Sequence, residues 1–484
     1  MRKPLSFLSS HELSGHWFVP QAEARRAAGR LKFGHDGCRL DLLALLDESH
    51  EETEADDGLP VIFGCTSQSE AVSLFRSLHG GGSGLWLGSA DGEVRTETFR
   101  PQMAIVGAHV ESEAQCFPAM RARVPGLLAW TGDSAIEEPD RITDADGKAV
   151  GLTMTLSPGT ICATEHDGIP GRVTIFKFVS QDGDRFSTLS WASEGWVEIR
   201  PTVPQPIDRL LRSLNQVLSL FGLLAGPCMH FDAIELTLDD DRSAGLLFSP
   251  SRHRVCDVSH HWEFLVPFGS IRAELPALLD AWLGHMPRIK TVNALFESAQ
   301  TLEKPPLHLL FLTLTHVLEG LHRSSHAGVY MDPEDYKCVY EEIATRLPAS
   351  VAGDHRQSLK RRIEFGNEIS FRKRLGELVF SLPEDLRLLI TGHSKGVPDA
   401  WIRTRNEYTH WPDGSTAKAA EGAELYCVNT RLLMLVRVLL LRLVFVPPAL
   451  IVSALRGRNR WARELAHVAE RERRQASRCR LQDD

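Results

Sequence analysis

No Cys-x-x-Cys pair occurs among the nine cysteines, which are odd in number and scattered from Cys38 to Cys479. Neither a disulfide framework nor a zinc knuckle is therefore expected, and the compartment reads as reducing and cytoplasmic. Long apolar runs are equally scarce. The N-terminal MRKPLSFLSSHELSGHW has two basic residues but no apolar core of signal-peptide length, so secretion is not expected. The most apolar stretch, Leu432 to Leu455, carries Arg437, Arg442 and Pro447-Pro448, and leaves 13 uncharged residues after Arg442. A bilayer needs about 18 to 20, so a buried helix is expected instead of a membrane span. Positive charge is also short, with 54 Lys+Arg against 63 Asp+Glu and a net charge of −9. That balance excludes a protein that coats nucleic acid with a uniformly basic surface and leaves room for a local basic site.

What remains is a folded chain of 484 residues, 43% hydrophobic and 24% charged, with material for two to four domains. The first two hundred residues alternate short apolar segments with Gly, Pro and Asp, as in Gly15–Val19, Cys38–Leu42, Pro60–Gly64, Met103–Gly107, Arg172–Phe176 and Trp196–Ile199. That rhythm predicts strands. The segment Asp47–Asp57, with seven carboxylates and no Lys or Arg, reads as an exposed strand connection. From Pro206, the apolar residues Ile207, Leu210, Leu211, Leu214, Val217, Leu218 and Phe221 recur at threes and fours, which predicts a helix ending near Gly222. A strand at Ala233–Leu238 follows, then helical patterns nearly to the end, punctuated by Pro305-Pro306. Helices are predicted at 307–323, 332–346, 353–364, 370–380, 398–411 and 421–446.

The fold class is thus α+β: a β-rich N-terminal sandwich or barrel-like domain (1–205), a mixed, mainly helical connecting region (206–303), an all-α bundle (304–455) and an Arg-rich C-terminal tail (456–484).

Three patterns imitate known chemistry. His79-Gly80-Gly81-Gly82 matches an oxyanion motif, and Gly392-His393-Ser394-Lys395-Gly396, after the strand-like Leu388-Leu389-Ile390, matches a nucleophile elbow for acyl transfer by Ser394. The two lie more than 300 residues apart, and the chain around the second reads helical. Gly80 to Gly84 lacks the Lys-Ser/Thr of a phosphate loop and reads as a hairpin connection. His260-His261-Trp262-Glu263 has no partner motif at metal-ligand spacing.

One further pattern carries chemistry. In Arg403-Thr404-Arg405-Asn406-Glu407-Tyr408-Thr409-His410, Asn406 and His410 stand one helical turn apart, and Arg405 lies about 140° round from His410. A histidine exchanges a proton near neutrality, a guanidinium grips a phosphate by its fork, and an amide can orient either. Together these suffice for RNA cleavage without a metal, in which a ribose 2′-hydroxyl attacks the adjacent phosphorus. The same residues also fit a surface helix with a capping histidine before Pro412-Asp413-Gly414.

The segment resembles the R-N-x-x-x-H signature of HEPN ribonucleases, in the branch with an ApeA-type N-terminal domain found in bacterial anti-phage defence. In that family's order stand Gly15–Pro20, Gly29–Phe33, Ile62–Thr66, Ile105–Val110 and Leu128–Trp130, then Leu314–Leu321 with Glu319, and Arg372–Leu375. The resemblance implies a HEPN bundle that dimerises, or forms a higher homo-oligomer, with two motifs facing one cleft. Arg405 and His410 would be the catalytic pair and Asn406 the orienting residue. Glu319 would lie beneath the motif and hold Arg405, or serve as a structural ion pair; Tyr408 and Thr409 would line the cleft, or Tyr408 would pack. Access of RNA would depend on Arg372, Arg374, Arg403 and Arg405.

The family further implies toxicity to the host by degradation of cellular RNA such as tRNA, no metal and no cofactor. The N-terminal region would be a sensor released by a phage-derived trigger. There Trp17, Trp86, Trp130 and His109 form a ligand site or, as strand aromatics usually do, a core. The competing expectations are a catalytically silent HEPN-type module that binds RNA or nucleotide, and the serine hydrolase.

Overall fold

The computed structural model describes residues 4–34, 37–46, 59–86, 93–166, 170–183, 188–226, 229–248, 263–302, 304–351, 353–392, 396–410 and 419–483, and at a few of these, His410 among them, the backbone alone. The chain divides into two compact units, Met1–His261 with Pro267–Pro276, and Trp262–Val266 with Ala277–Asp484. Strands dominate the first and helices the second, as the α+β expectation requires.

Six strands of the first unit close on themselves: β1 (His11–Phe18), β2 (Ala27–Gly34), β3 (Gly37–Leu42), β4 (Leu59–Thr66), β5 (Ala71–Trp86) and β6 (Glu93–Arg100). Their order is β5-β4-β1-β2-β3-β6, and β6 returns to β5, so the set is an antiparallel barrel. Closure depends on β5, whose first half pairs with β4 and whose second half, from Leu78, pairs with β6. Between them the register shifts at His79/Gly81, and Gly81 sits at φ 106°, a left-handed conformation that glycine adopts without a Cβ penalty. The glycine run predicted as a hairpin connection is therefore part of a strand that changes partners. Leu31, Leu40, Leu42, Ile62, Leu74 and Phe99 of these strands are buried, and Trp17 is fully enclosed. The Trp17 ring lies so close over Gly64 that a Cβ there would meet it at 2.4 Å. The acidic segment 47–57 lies outside the described residues.

The sheet continues past β5 through β7 (Met103–Val106), β8 (Cys116–Phe117), β9 (Ala119–Arg123), β10 (Asp140–Thr143), β11 (Ala149–Thr153), β12 (Gly159–Glu165), β13 (Arg172–Gly183), β14 (Leu189–Arg200), β15 (Gln205–Pro206), β16 (Ala233–Thr237) and β17 (Ser243–Phe248). Of these, β8 pairs with β15 and β10 with β11; the rest extend the barrel wall in the order β7-β17-β16-β9-β14-β13-β12. Two helices belong here, α1 (Leu127–Thr131) and α2 (Ile207–Ala225). The predicted apolar stripe of α2 is buried at Ile207, Leu210, Leu214, Val217, Leu218 and Phe221, and packs on β9 and β14. Each such burial contributes about 1.5–3 kcal/mol.

The change to helical rhythm at residue 206 thus does not end the first unit. β16 pairs with β9 from Ala233↔Arg123 to Thr237↔Ala119, which draws α2, β16 and β17 back into the sheet.

The second unit holds α3 (Leu275–Thr301) from Ala277 onward, α4 (Leu307–Ser325), α5 (Pro333–Thr345), α6 (Gly353–Glu364), α7 (Phe371–Phe380), α8 (Glu384–Thr391), α9 (Asp399–His410), α10 (Gly422–Leu443), α11 (Pro448–Arg456) and α12 (Arg460–Asp483). Pro305-Pro306 separates α3 from α4 inside this unit. α4 and α10 form its centre, with Phe311, Leu314, Val317, Leu318, Leu432, Leu435, Val438 and Leu440 buried. The mid-helix Arg437 is fully enclosed, its guanidinium 4.4 Å from the centre of the Trp461 ring and hydrogen-bonded to Gln300. Among the described residues no helix is long and apolar enough to cross a membrane.

The strand-like Leu388-Leu389-Ile390 is helical instead. Glu384 and Asp385 occupy the first turn of α8 after Pro383, where acidic side chains suit the helix dipole, and Gly392 at φ 72° ends it.

Candidate active site

The Arg405-Asn406 pair and His410 fall on the last two turns of α9, and the sequence explains how that helix is fixed. Trp401, Ile402 and Thr404 are buried, while Arg403, Asn406 and Thr409 are exposed. Thr404 Oγ1 donates to the Ala400 carbonyl (2.7 Å) and accepts from the Ala420 amide (2.9 Å), which ties the chain after the motif back to the helix. Tyr408 adds a second tie: its hydroxyl donates to the Ala420 carbonyl (3.2 Å), and its ring meets Phe311 of α4 edge-on at 5.9 Å. At the start of α9, Asp399 accepts from Arg372 of α7 (2.8 Å).

Arg405 is half-buried, with its guanidinium 5.3 Å from the centre of the Phe371 ring at the start of α7. An aromatic face under a guanidinium orients it. Asn406 is exposed one turn before His410, whose side chain, with residues 411–418, lies outside the described residues. Thr409 donates its hydroxyl to the Arg405 carbonyl (2.7 Å). Burial, with the nearby Glu421, raises the Tyr408 phenol above the ordinary 10.0, so it remains protonated at neutral pH.

Glu319 takes a structural ion pair on its own helix, accepting from Arg323 at 3.1 Å. It opens a chain of charges that sequence reasoning missed. Arg323 also reaches Glu368, which accepts from Arg374 at 3.1 Å. Arg374 is buried, and donates to the carbonyls of Ile369 (3.1 Å) and Gly328 (3.3 Å) and to His322 Nδ1 (3.3 Å). An arginine only donates, so Nδ1 of His322 accepts and its Nε2–H donates to Glu377 (2.8 Å). Burial above all, with the charges of His326 and Arg374, lowers His322 below 6.5 against the opposing pull of Glu377. The hydrogen bond from His322 lowers Glu377, and that from Arg323 lowers Glu368, below the ordinary 4.5. The sequence did mark Arg374, but no periodicity shows that it meets His322 from another helix.

Two of the four arginines expected to receive RNA are thus engaged by carboxylates, Arg372 by Asp399 and Arg374 by Glu368 within this network.

In the first unit three of the four aromatic candidates are engaged in packing. Trp17 fills the barrel, Trp130 packs on Phe221 and Phe268, and His109 stacks on Phe63 with Nε2 at 2.9 Å from the Gly64 carbonyl. The side chain of Trp86 lies outside the described residues. A hollow of about 400 Å³ lies elsewhere, lined by Arg121, Phe176, Trp196, Glu235, Asp241 and Gly245. The remaining imitations find no support. His79 pairs with buried Glu97 (3.2 Å), and Gly392 ends a helix. Ser394 and His260–Trp262 lie outside the described residues, and among those described no cluster of three His, Cys, Asp or Glu could hold a metal ion.

Comparison with known families separates the chain along similar lines. A family model described as ApeA N-terminal domain 1 matches residues 12–282, and one described as Apea-like HEPN matches residues 312–447. The first covers more than half of the chain, ends close to the division between the two units, and includes α2, β16 and β17; the second runs from within α4 through α10. No curated protein and no solved structure matches.

Proposed function

The chain belongs to the ApeA-type anti-phage HEPN nuclease family, and from that premise we propose that it is a metal-independent endoribonuclease that cleaves cellular RNA, such as tRNA, in abortive infection. What supports the reading is a helix, α9, which carries Arg405, Asn406 and His410 in its last two turns and is anchored by Thr404, Tyr408 and Asp399. Precise placement matters because the catalysis proposed needs only position, proton transfer and charge stabilisation.

In the proposed reaction a ribose 2′-oxygen attacks the adjacent phosphorus while His410 takes its proton. The phosphorus–5′-oxygen bond breaks, that oxygen receives a proton from the second histidine of a dimer, and the products are a 2′,3′-cyclic phosphate and a 5′-hydroxyl. Arg405 neutralises the charge that builds on the non-bridging oxygens, and Asn406 orients the phosphate. No cofactor takes part. The homodimer supplies two motifs to one cleft, the protein acts in the cytoplasm, and the ApeA-type unit holds the nuclease in check until a phage-derived trigger arrives.

The test incubates wild type and His410→Ala with total cellular RNA in excess EDTA, alone and in infected-cell extract, and maps product ends. The expected result is cleavage by wild type with 2′,3′-cyclic phosphate ends, and a loss of about 10²- to 10⁴-fold in the variant. Arg405→Lys keeps the charge but not the fork and should lose most activity. Equal cleavage by His410→Ala would overturn the mechanism, and RNA binding without cleavage in either setting would favour a silent binding module.

A further inference from the structure

The proposed substrate requires more cation than α9 offers, and the chain is acidic overall, yet one surface of the helical unit is basic. On α12, Arg460, Arg463, His467, Arg471 and Arg474 follow at intervals of three and four residues, and all five are exposed. At about 100° per residue they occupy an arc of about 80°, and they extend about 21 Å along the axis. Trp461, Leu465 and Val468, on the other side, are buried, in a helix that packs against α10 and α11. Arg456 and Arg458, just before α12, are exposed as well.

Ion pairing spends the ends of this stripe and leaves its middle. Arg460 meets Glu464 at 2.8 Å and Arg474 meets Glu470, whereas Arg463 and Arg471 have no carboxylate partner among the described residues. The stripe is also held firmly. Arg431 of α10 grips Glu472 of α12 with two nitrogens and donates to the Ile390 carbonyl (2.7 Å), which fastens α12 to the end of α8. Both α11 and α12 lie beyond residue 447, where the HEPN match ends.

We propose that this stripe, centred on Arg463 and Arg471, is an RNA-backbone contact that receives a run of phosphates and adds affinity to the α9 site. The inference rests on the RNA-cleaving reading. Four guanidinium groups along one helix face, with His467 between the inner two, suit a polyanion, and each neutralised phosphate releases counterions. An anionic membrane is the poorer fit, because a helix that enters a bilayer surface must turn its apolar face outward, and here that face is covered by the bundle.

The test uses the full chain in the His410→Ala background, so that RNA survives, and measures binding of bulk tRNA between about 50 and 200 mM salt. Arg463→Gln with Arg471→Gln should weaken binding roughly tenfold or more and reduce the log–log salt slope by about 0.7 to 0.9 per arginine. Arg346→Gln, an exposed arginine of the same unit, controls for net charge and should change little. The matching double variant with His410 intact should cleave saturating RNA at the wild-type rate but require more RNA to do so. Unchanged affinity and slope, with tRNA still bound, would overturn the stripe and leave the nuclease reading standing. So would an equal loss in Arg346→Gln, or stripe-dependent binding to phosphatidylglycerol vesicles without an effect on tRNA. Failure of His410→Ala to bind tRNA, together with failure of wild type to cleave RNA in infected-cell extract, would remove both.

Discussion

The two units solve the same problem, satisfying a buried backbone, by opposite means. In the β-rich unit the backbone of one strand satisfies that of the next, so position is set by close approach, and the sensitive places are those where a side chain must be missing. Gly64 under Trp17 and Gly81 at the partner switch of β5 are two. In the helical unit each helix satisfies its own interior, and its last turn leaves carbonyls over. Long polar side chains do the joining at such ends and in the loops beside them. Arg431 of α10 donates to Leu389 and Ile390 at the end of α8, Arg374 to Gly328 and Ile369 in the segment between α4 and α7, and Asn429 of α10 to Leu307 at the start of α4. A sheet is specified by where side chains are absent, and this bundle by where donors arrive.

The strongest way to break the comparison is Arg374→Ala. It removes donors from two carbonyls, from Glu368 and from His322 at a buried position, and should cost about 3–5 kcal/mol in urea unfolding followed by helical circular dichroism. A loss below about 1 kcal/mol would mean that apolar packing alone orders the helices. Next is Gly64→Ala, where one methyl enters the space of the Trp17 ring; the expected loss is about 1–3 kcal/mol, and a neutral result would show that the barrel relaxes around it. Tyr408→Phe deletes one hydroxyl and should cost about 0.5–1.5 kcal/mol while leaving RNA cleavage intact, since that hydroxyl is given to a carbonyl instead of to substrate. A large fall in activity with unchanged stability would move Tyr408 into the reaction.

The gentlest effect is a slope. His322 is held below 6.5 in the folded unit, so on acidification the unfolded chain takes up that proton first, and stability falls as pH drops through 6.5 toward the folded value. Glu368 and Glu377, both held below 4.5, add a further fall beneath that value. Urea unfolding between about pH 7.5 and 5.5 should show the first part, and His322→Gln should flatten it. Equal slopes in the two proteins would place the titration elsewhere.

Much of the helical unit was legible because its apolar residues repeat at threes and fours; α6 has the predicted bounds, and α4 and α10 lie where the pattern put them. α8 was not, because three apolar residues in a row do not separate a strand from a helix, and its start and stop signals, Pro383 with Glu384 and Gly392, flank the triplet at a distance. The barrel was visible as a rhythm of strands but not as a closed object, since closure depends on β5 exchanging neighbours at a glycine run that resembles a turn. Of the site, the order Arg405-Asn406-His410 on one helix was legible. The base that Phe371 provides for Arg405, the clamp from Thr404 to Ala420, and the meeting of His322 with Arg374 are tertiary events, set by residues between 16 and 52 positions apart.

The pairing of β9 with β16 gives the chain a timetable. These strands lie more than 100 residues apart, so no nascent chain can complete the sheet before residue 237 has left the ribosome, and long-range pairing of this kind is intrinsically slow. From the end of β17 to the start of α9, about 150 further residues must be made, which at about 5 to 20 residues per second takes about eight to thirty seconds. The ApeA-type unit therefore has its whole sheet available while Arg405 and His410 are still unwritten. In each newly made molecule the ApeA-type unit has a head start over the helix that it is proposed to restrain.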